Sequence, residues 1–169
     1  MIPVELLGIR FAPPSSAPFV VLREFREPNR TVMIYIGEPE ALSIQMALAG
    51  DVTPRPMTHD LMVNVIEELG AELVRVVVTH VEETTFYAEL HLDLDDEVVE
   101  ISARPSDSLA LAARTGCPVY VAEEVLDDAG LLEVAEEDAD TTEPPSEEVV
   151  EEFRQFIDSV SPEDFGPRT

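Results

Sequence analysis

Four short constellations in this sequence combine residue types that can handle a phosphate, a proton or a cation. In the first, Thr58-His59-Asp60 opens a helix-like segment, with Arg55 just upstream. Thr58 is a good N-cap, which places His59 and Asp60 in the first turn. Unpaired N–H groups there can hold a phosphate. An imidazole can give or take a proton near neutral pH, and the planar fork of Arg55 matches phosphate oxygens. The plainer reading is a capped helix start with a solvated histidine and aspartate.

The second is Arg104-Pro105-Ser106-Asp107, in which an arginine again stands beside a helix start. Ser106 is the expected cap. Arg104 and Ser106 are candidates for an oxyanion or phosphate, whereas an Arg104–Asp107 pair would simply hold the turn. The third is Glu38 with Glu40, at the matching place of an earlier strand-to-helix turn. Two carboxylates can ligate Mg²⁺, which takes hard oxygen ligands and keeps several waters. Acids at a helix start are also favoured by its dipole alone. The fourth is Glu89, His91 and Asp93, which share one face of a strand; they could bind a transition metal or form a wet strand face.

Charge limits the function classes. The chain has 169 residues, with 10 basic against 36 acidic, a formal net charge of −26. Every basic residue is arginine. A protein that holds nucleic acid non-specifically uses a basic surface that releases counterions. This chain is repelled by polyphosphates and anionic membranes at long range, so any nucleic-acid contact must be local. The single cysteine, Cys117, forms no intrachain disulfide and fits a reducing compartment. No signal peptide or membrane span is read, so a cytoplasmic placement is expected. Phosphate-loop, dinucleotide, zinc-cluster and nucleophile-elbow motifs are absent from the sequence.

The elements that must position these residues are legible. Val4–Phe11, Phe19–Phe25 and Thr31–Ile36 are strand-like, separated by proline-rich turns. A helix follows from Pro39 to about Ala49, closed by Gly50, and another from Thr58, closed by Gly70. Leu61, Val65, Ile66 and Leu69 are its expected apolar face. The order then recurs: strands over Leu73–Val81, Thr85–Leu94 and Val98–Ala103, a helix from Ser106 to Gly116, an extended Pro118–Val121, and a short helix over Glu123–Ala129. Three strands and two helices, twice, predict an α+β fold with an internal duplication at about 1–70 and 71–132. Runs of three strands with short turns favour antiparallel or mixed pairing. An acidic, proline-bearing stretch over 133–145 reads as a flexible linker. Val149, Phe153, Phe156 and Val160 then predict an amphipathic helix over 146–160, before a tail over 161–169.

Several segments occur together in a telling order. They are Val4-Glu5-Leu6-Leu7-Gly8-Ile9, Tyr35-Ile36-Gly37-Glu38-Pro39-Glu40-Ala41, Arg55-Pro56-Met57-Thr58-His59-Asp60-Leu61, Thr85-Phe86-Tyr87-Ala88, and the run from Ser102 through Arg104-Pro105-Ser106-Asp107 to Ala112. Over about 1–132 they resemble the bifunctional nuclease domain family, also catalogued as a domain of unknown function. The acidic extension is similar to that of actinobacterial members. The resemblance implies a barrel-like mixed sheet with helices packed outside, self-association into a homo-oligomer, and nuclease activity on DNA and RNA.

It transfers no catalytic constellation residue by residue. The residues themselves make His59, Asp60 and Asp107 the catalytic candidates and Arg55, Arg104 and Ser106 the phosphate-binding ones. Glu38 and Glu40 are candidate ligands of Mg²⁺ or another divalent cation, with no organic cofactor. Nucleic acid would be engaged through local arginines only, with no membrane. A second reading is a non-catalytic oligomeric module that binds a small anion or a protein partner.

Overall fold

A computed structural model of the chain describes residues 1–12 and 17–132. Two three-stranded antiparallel meanders form the sheet's arms: β1 (Ile2–Ala12), β2 (Ala17–Glu24) and β3 (Arg30–Tyr35), then β4 (Ala71–Glu82), β5 (Thr85–Leu94) and β6 (Glu97–Ala103). Helices α1 (Glu38–Ala49) and α2 (Thr58–Glu68) follow the first meander, and α3 (Pro105–Thr115) follows the second. The short β7 (Val119–Val121), α4 (Glu123–Ala129) and β8 (Leu131–Leu132) complete the described part. The described residues all fall in the unit Met1–Glu133. The expected linker, amphipathic helix and tail lie outside the described residues.

The sheet is mixed and eight-stranded, in the order β6-β5-β4-β7-β1-β2-β3-β8. Strand β7 joins the arms, parallel to β4 and antiparallel to β1. The expected barrel is corrected: among the described residues β6 and β8 are the edge strands, and no ladder closes the sheet. The sheet nevertheless curls. Tyr35 at the end of β3 and Phe86 near the start of β5 line one cleft although four strands lie between them in the ladder. Long strands with a right-handed twist accumulate this curvature, and a bulge at Gly8 in β1, whose φ is +120°, adds to it. At its centre the sheet is shielded on both faces, so Val20-Val21-Leu22 and Val76-Val77-Val78 are buried as unbroken runs. The β5–β6 turn is Asp95-Asp96, both in the left-handed region.

Helix α3 is the hub. Leu109, Ala110 and Leu111 are fully buried, and the helix packs on α1, α2, β4 and β5. Truncating either leucine to alanine should cost about 2–5 kcal/mol. Its start differs from the expectation: Arg104 is the N-cap and Pro105 takes the first helical position, where its missing N–H costs nothing. Ser106 is therefore a buried second residue rather than the cap. Helix α2 likewise starts with Met57 as N-cap and Thr58 as its first residue. The apolar face expected on α2 is also corrected. Leu61, Val65 and Leu69 are exposed, while Val63 and Ile66 pack on the core. The inward stripe is set by where α3 and β4 lie, and His59 falls on it, four residues before Val63.

At the other end of the described region, Arg30 ties the first arm to α4. Its guanidinium donates to Glu24 at 2.9 and 3.0 Å, to Glu123 at 2.6 Å and to Asp127 at 2.7 Å. Glu24 is buried. Its carboxyl is held below the usual 4.5 by the hydrogen bonds from Arg30, which outweigh the effect of burial.

Candidate functional site

The first turns of α1, α2 and α3 converge on one cleft of about 630 Å³. Glu40, His59 and Asp107 each come from one of these turns, and Arg104 comes from the loop that caps α3. Arg104 Nε donates to Asp107 Oδ2 at 2.8 Å. Arg104 Nη2 donates both to Asp107 Oδ1 and to Glu40 Oε1, each at 3.0 Å. His59 Nε2 lies 3.3 Å from Asp107 Oδ1, and its Nδ1 lies 2.8 Å from Ser43 Oγ. A continuous polar chain thus runs Ser43–His59–Asp107–Arg104–Glu40. Apolar walls from Met57, Met62, Leu90, Ile101 and Leu111 surround it.

The charge states follow. Burial alone would raise the Asp107 carboxyl, but hydrogen bonds from Arg104 and His59 outweigh it and hold the group below its usual 3.8. Arg104 is correspondingly raised, first by Asp107 and then by Glu40. An ionised Asp107 can only accept, so in a neutral imidazole Nε2 carries the proton and Nδ1 accepts the Ser43 hydroxyl hydrogen. The 3.3 Å contact is longer than the usual 2.7–3.2 Å or so of an N–H···O bond. Unliganded acid–base pairs are commonly loose in this way and tighten on substrate. Glycine at position 37 leaves room for the Glu40 carboxylate: a Cβ there would meet Glu40 Oε2 and displace it.

The other sequence candidates stand apart. Asp60 accepts the Met57 N–H at 2.8 Å and pairs with Arg114 Nε. Arg114, ahead of the Met57 bond, holds its carboxyl below the usual 3.8. That pair welds α2 to α3, and Arg114 also donates to the Ser43 carbonyl oxygen on α1. Glu38 and Arg55 are exposed, and among the described residues neither side chain makes an ion pair. Ser106 faces a neighbouring cleft that shares Arg104 as its rim. The Glu89, His91, Asp93 set is not a uniformly wet face. His91 is only 3% exposed, with Arg75 Nη2 at 3.2 Å from its Nδ1 and Glu100 Oε1 at 3.5 Å. Among the described residues no three ligating side chains are grouped to hold a metal ion.

Sequence reasoning missed Ser43. A serine in mid-helix between Leu42 and Ile44 carries no local signal; only its three-residue spacing from Glu40, which puts both on one face, hints at it.

The site and fold now have a family context. The bifunctional nuclease domain matches residues 20–133, and the chain belongs to that family. The match begins inside β2, so it leaves out β1. Over the wider chain it is similar to two proteins of Mycobacterium tuberculosis, one from strain CDC 1551 / Oshkosh. Each is 44% identical over 162 residues, 96% of either chain, and each is described as uncharacterized. Among the described residues, no helix is long and apolar enough to cross a membrane.

Proposed function

We propose that this chain hydrolyses phosphodiester bonds in DNA or RNA at the cleft where α1, α2 and α3 begin. The observation that carries the reading is the meeting of Glu40, His59, Arg104 and Asp107 from three separate segments. Family membership supports it. In this reading Arg104 clamps a phosphate oxygen, since its Nη1 has no protein partner among the described residues. The proton of the attacking water or leaving oxygen passes through the Ser43 hydroxyl, which exchanges its own with His59 Nδ1, while Asp107 on Nε2 orients the imidazole and stabilises it when charged. Ser43 fixes the ring from the other side. Asp60 acts through Arg114 as a positioning residue, holding α2 against α3.

Mg²⁺ needs only one or two carboxylates, with waters and substrate phosphates completing its shell. Glu40 and Asp107 meet that count, and Glu38 does not join them. A bound divalent cation would supply Lewis-acid stabilisation of the phosphoryl oxygens. The two meanders, each followed by a helix with a proline in its first turn, support reading the domain as a duplicated unit. Self-association and a cytoplasmic setting belong to the same proposal.

The test is hydrolysis of end-labelled single-stranded DNA and RNA by the full chain with Mg²⁺ or Mn²⁺. Activity that disappears in His59→Ala, Arg104→Ala and Asp107→Ala supports the proposal. Activity that persists in all three belongs to a contaminant. The second reading, a non-catalytic module, draws on the two acids that already neutralise Arg104. It predicts no turnover, and a fall in melting temperature as the sole effect of those variants.

A further inference from the structure

We infer that the cleft on the far side of Arg104 is a nucleobase subsite, which takes the base of a nucleotide whose phosphate rests on that arginine. The inference deepens the phosphodiester reading and relies on it for the position of the phosphate. The cleft has a volume of about 450 Å³ and is lined by Tyr35, Thr84, Thr85, Phe86, Arg104 and Ser106. That volume lies within the range of about 300–1,000 Å³ usual for small-molecule sites.

The curl of the sheet builds it. The end of β3 contributes Tyr35, and the β4–β5 turn and its following strand contribute Thr84, Thr85 and Phe86. Tyr35 is 64% exposed and, among the described residues, its one ring contact is with Phe19, at a tilted 5.6 Å. A large ring left at the rim of a cleft offers a π-face, and every base can stack on one. The Thr84 and Thr85 hydroxyls can donate and accept, as a base edge requires. Arg104 is 66% exposed at the mouth, bordering this cleft and the one that contains His59. A phosphate on its Nη1, which has no partner among the described residues, would leave the base on the Tyr35 side and the acid–base pair on the other.

Charge favours this arrangement over a phosphate-tracking groove. Only 8 arginines face 23 acids over residues 1–132. Affinity for a polyanion then draws on contacts that do not depend on net charge, and stacking is one of these.

The experiment is calorimetric titration of the full chain with adenosine and uridine monophosphates, with ribose 5-phosphate and inorganic phosphate as probes lacking the base. Nucleotides should bind at least about tenfold more tightly than ribose 5-phosphate, a difference typical of one stacked base. Tyr35→Ala should erase that difference and Tyr35→Phe should keep it. Equal binding of nucleotide and ribose 5-phosphate overturns the subsite, as does an unchanged difference in Tyr35→Ala. The two ideas separate cleanly. Base-dependent binding without hydrolysis of nucleic acid retains the subsite and removes the hydrolase. Hydrolysis without base dependence does the reverse. Tyr35 is exposed, so its variants should fold; a circular dichroism melt checks this.

Discussion

Arg30 and Arg104 each gather several carboxylates, and the contrast between them separates scaffold from site. Arg30 is 15% exposed and spends its donors on Glu24, Glu123 and Asp127. It borders neither of the two clefts that flank Arg104. Arg104 is 66% exposed, has no partner on Nη1 among the described residues, and stands on the ridge between two clefts with His59 behind its acid partner. The same chemistry thus does two jobs. A guanidinium enclosed by acids and protein fastens elements together. A guanidinium held on one edge by acids and open on the other can receive an anion.

The largest effect that would sharpen this contrast is on turnover. Arg104→Ala or His59→Ala should lower kcat/KM on a labelled oligonucleotide by about 10²–10³, in line with loss of an oxyanion donor or general acid–base. In Arg104→Ala thermal stability should fall little, because an exposed ion pair contributes about 0–1 kcal/mol. Arg30→Ala should do the opposite. Leaving Glu24 buried and unpaired should cost about 3–5 kcal/mol, read by urea denaturation, with kcat of the folded fraction unchanged. A catalytic loss from Arg30→Ala at full folding would break the distinction.

Acid should find the scaffold as well. Glu24, Asp60 and Asp107 are all held below their ordinary values of 4.5, 3.8 and 3.8. A depressed folded-state pKa stabilises above the unfolded value, and that stability is lost as pH falls through the folded one. Stability should therefore decline as pH drops below the ordinary carboxylate range, and Glu24→Gln should flatten that decline in pH-dependent melts. The smallest effect is expected from Gly37→Ala. It should push the Glu40 carboxylate off Arg104, change stability by no more than about 0.5 kcal/mol, and lower kcat/KM a few-fold. An unchanged rate would remove Glu40 from the site.

Much of the architecture was readable in one dimension. Alternation, proline turns and closing glycines placed six strands and the helices within a few residues, because those signals act on the local backbone. Gly50 and Gly116 both take the left-handed conformation that ends a helix. The starts of α2 and α3 were misjudged for a local reason too. Pro105 outcompeted Ser106 for the helix start, and the Asp60 carboxylate reached back to the Met57 N–H. The two-residue β8 carried too few residues to show a pattern.

Which candidates share a cleft was beyond local reading. Composition and spacing settled the meanders, the helix-start chemistry and the excess of acid, because each depends on residues near one another in the chain. Tertiary structure alone decided that Asp107 meets His59 across 48 positions, that Asp60 turns instead to Arg114, and that a mid-helix serine completes the chain. It also decided that the sheet curls without closing. Such contacts depend on how helices stack on a twisted sheet, and a few ångströms of displacement separate a hydrogen bond from none.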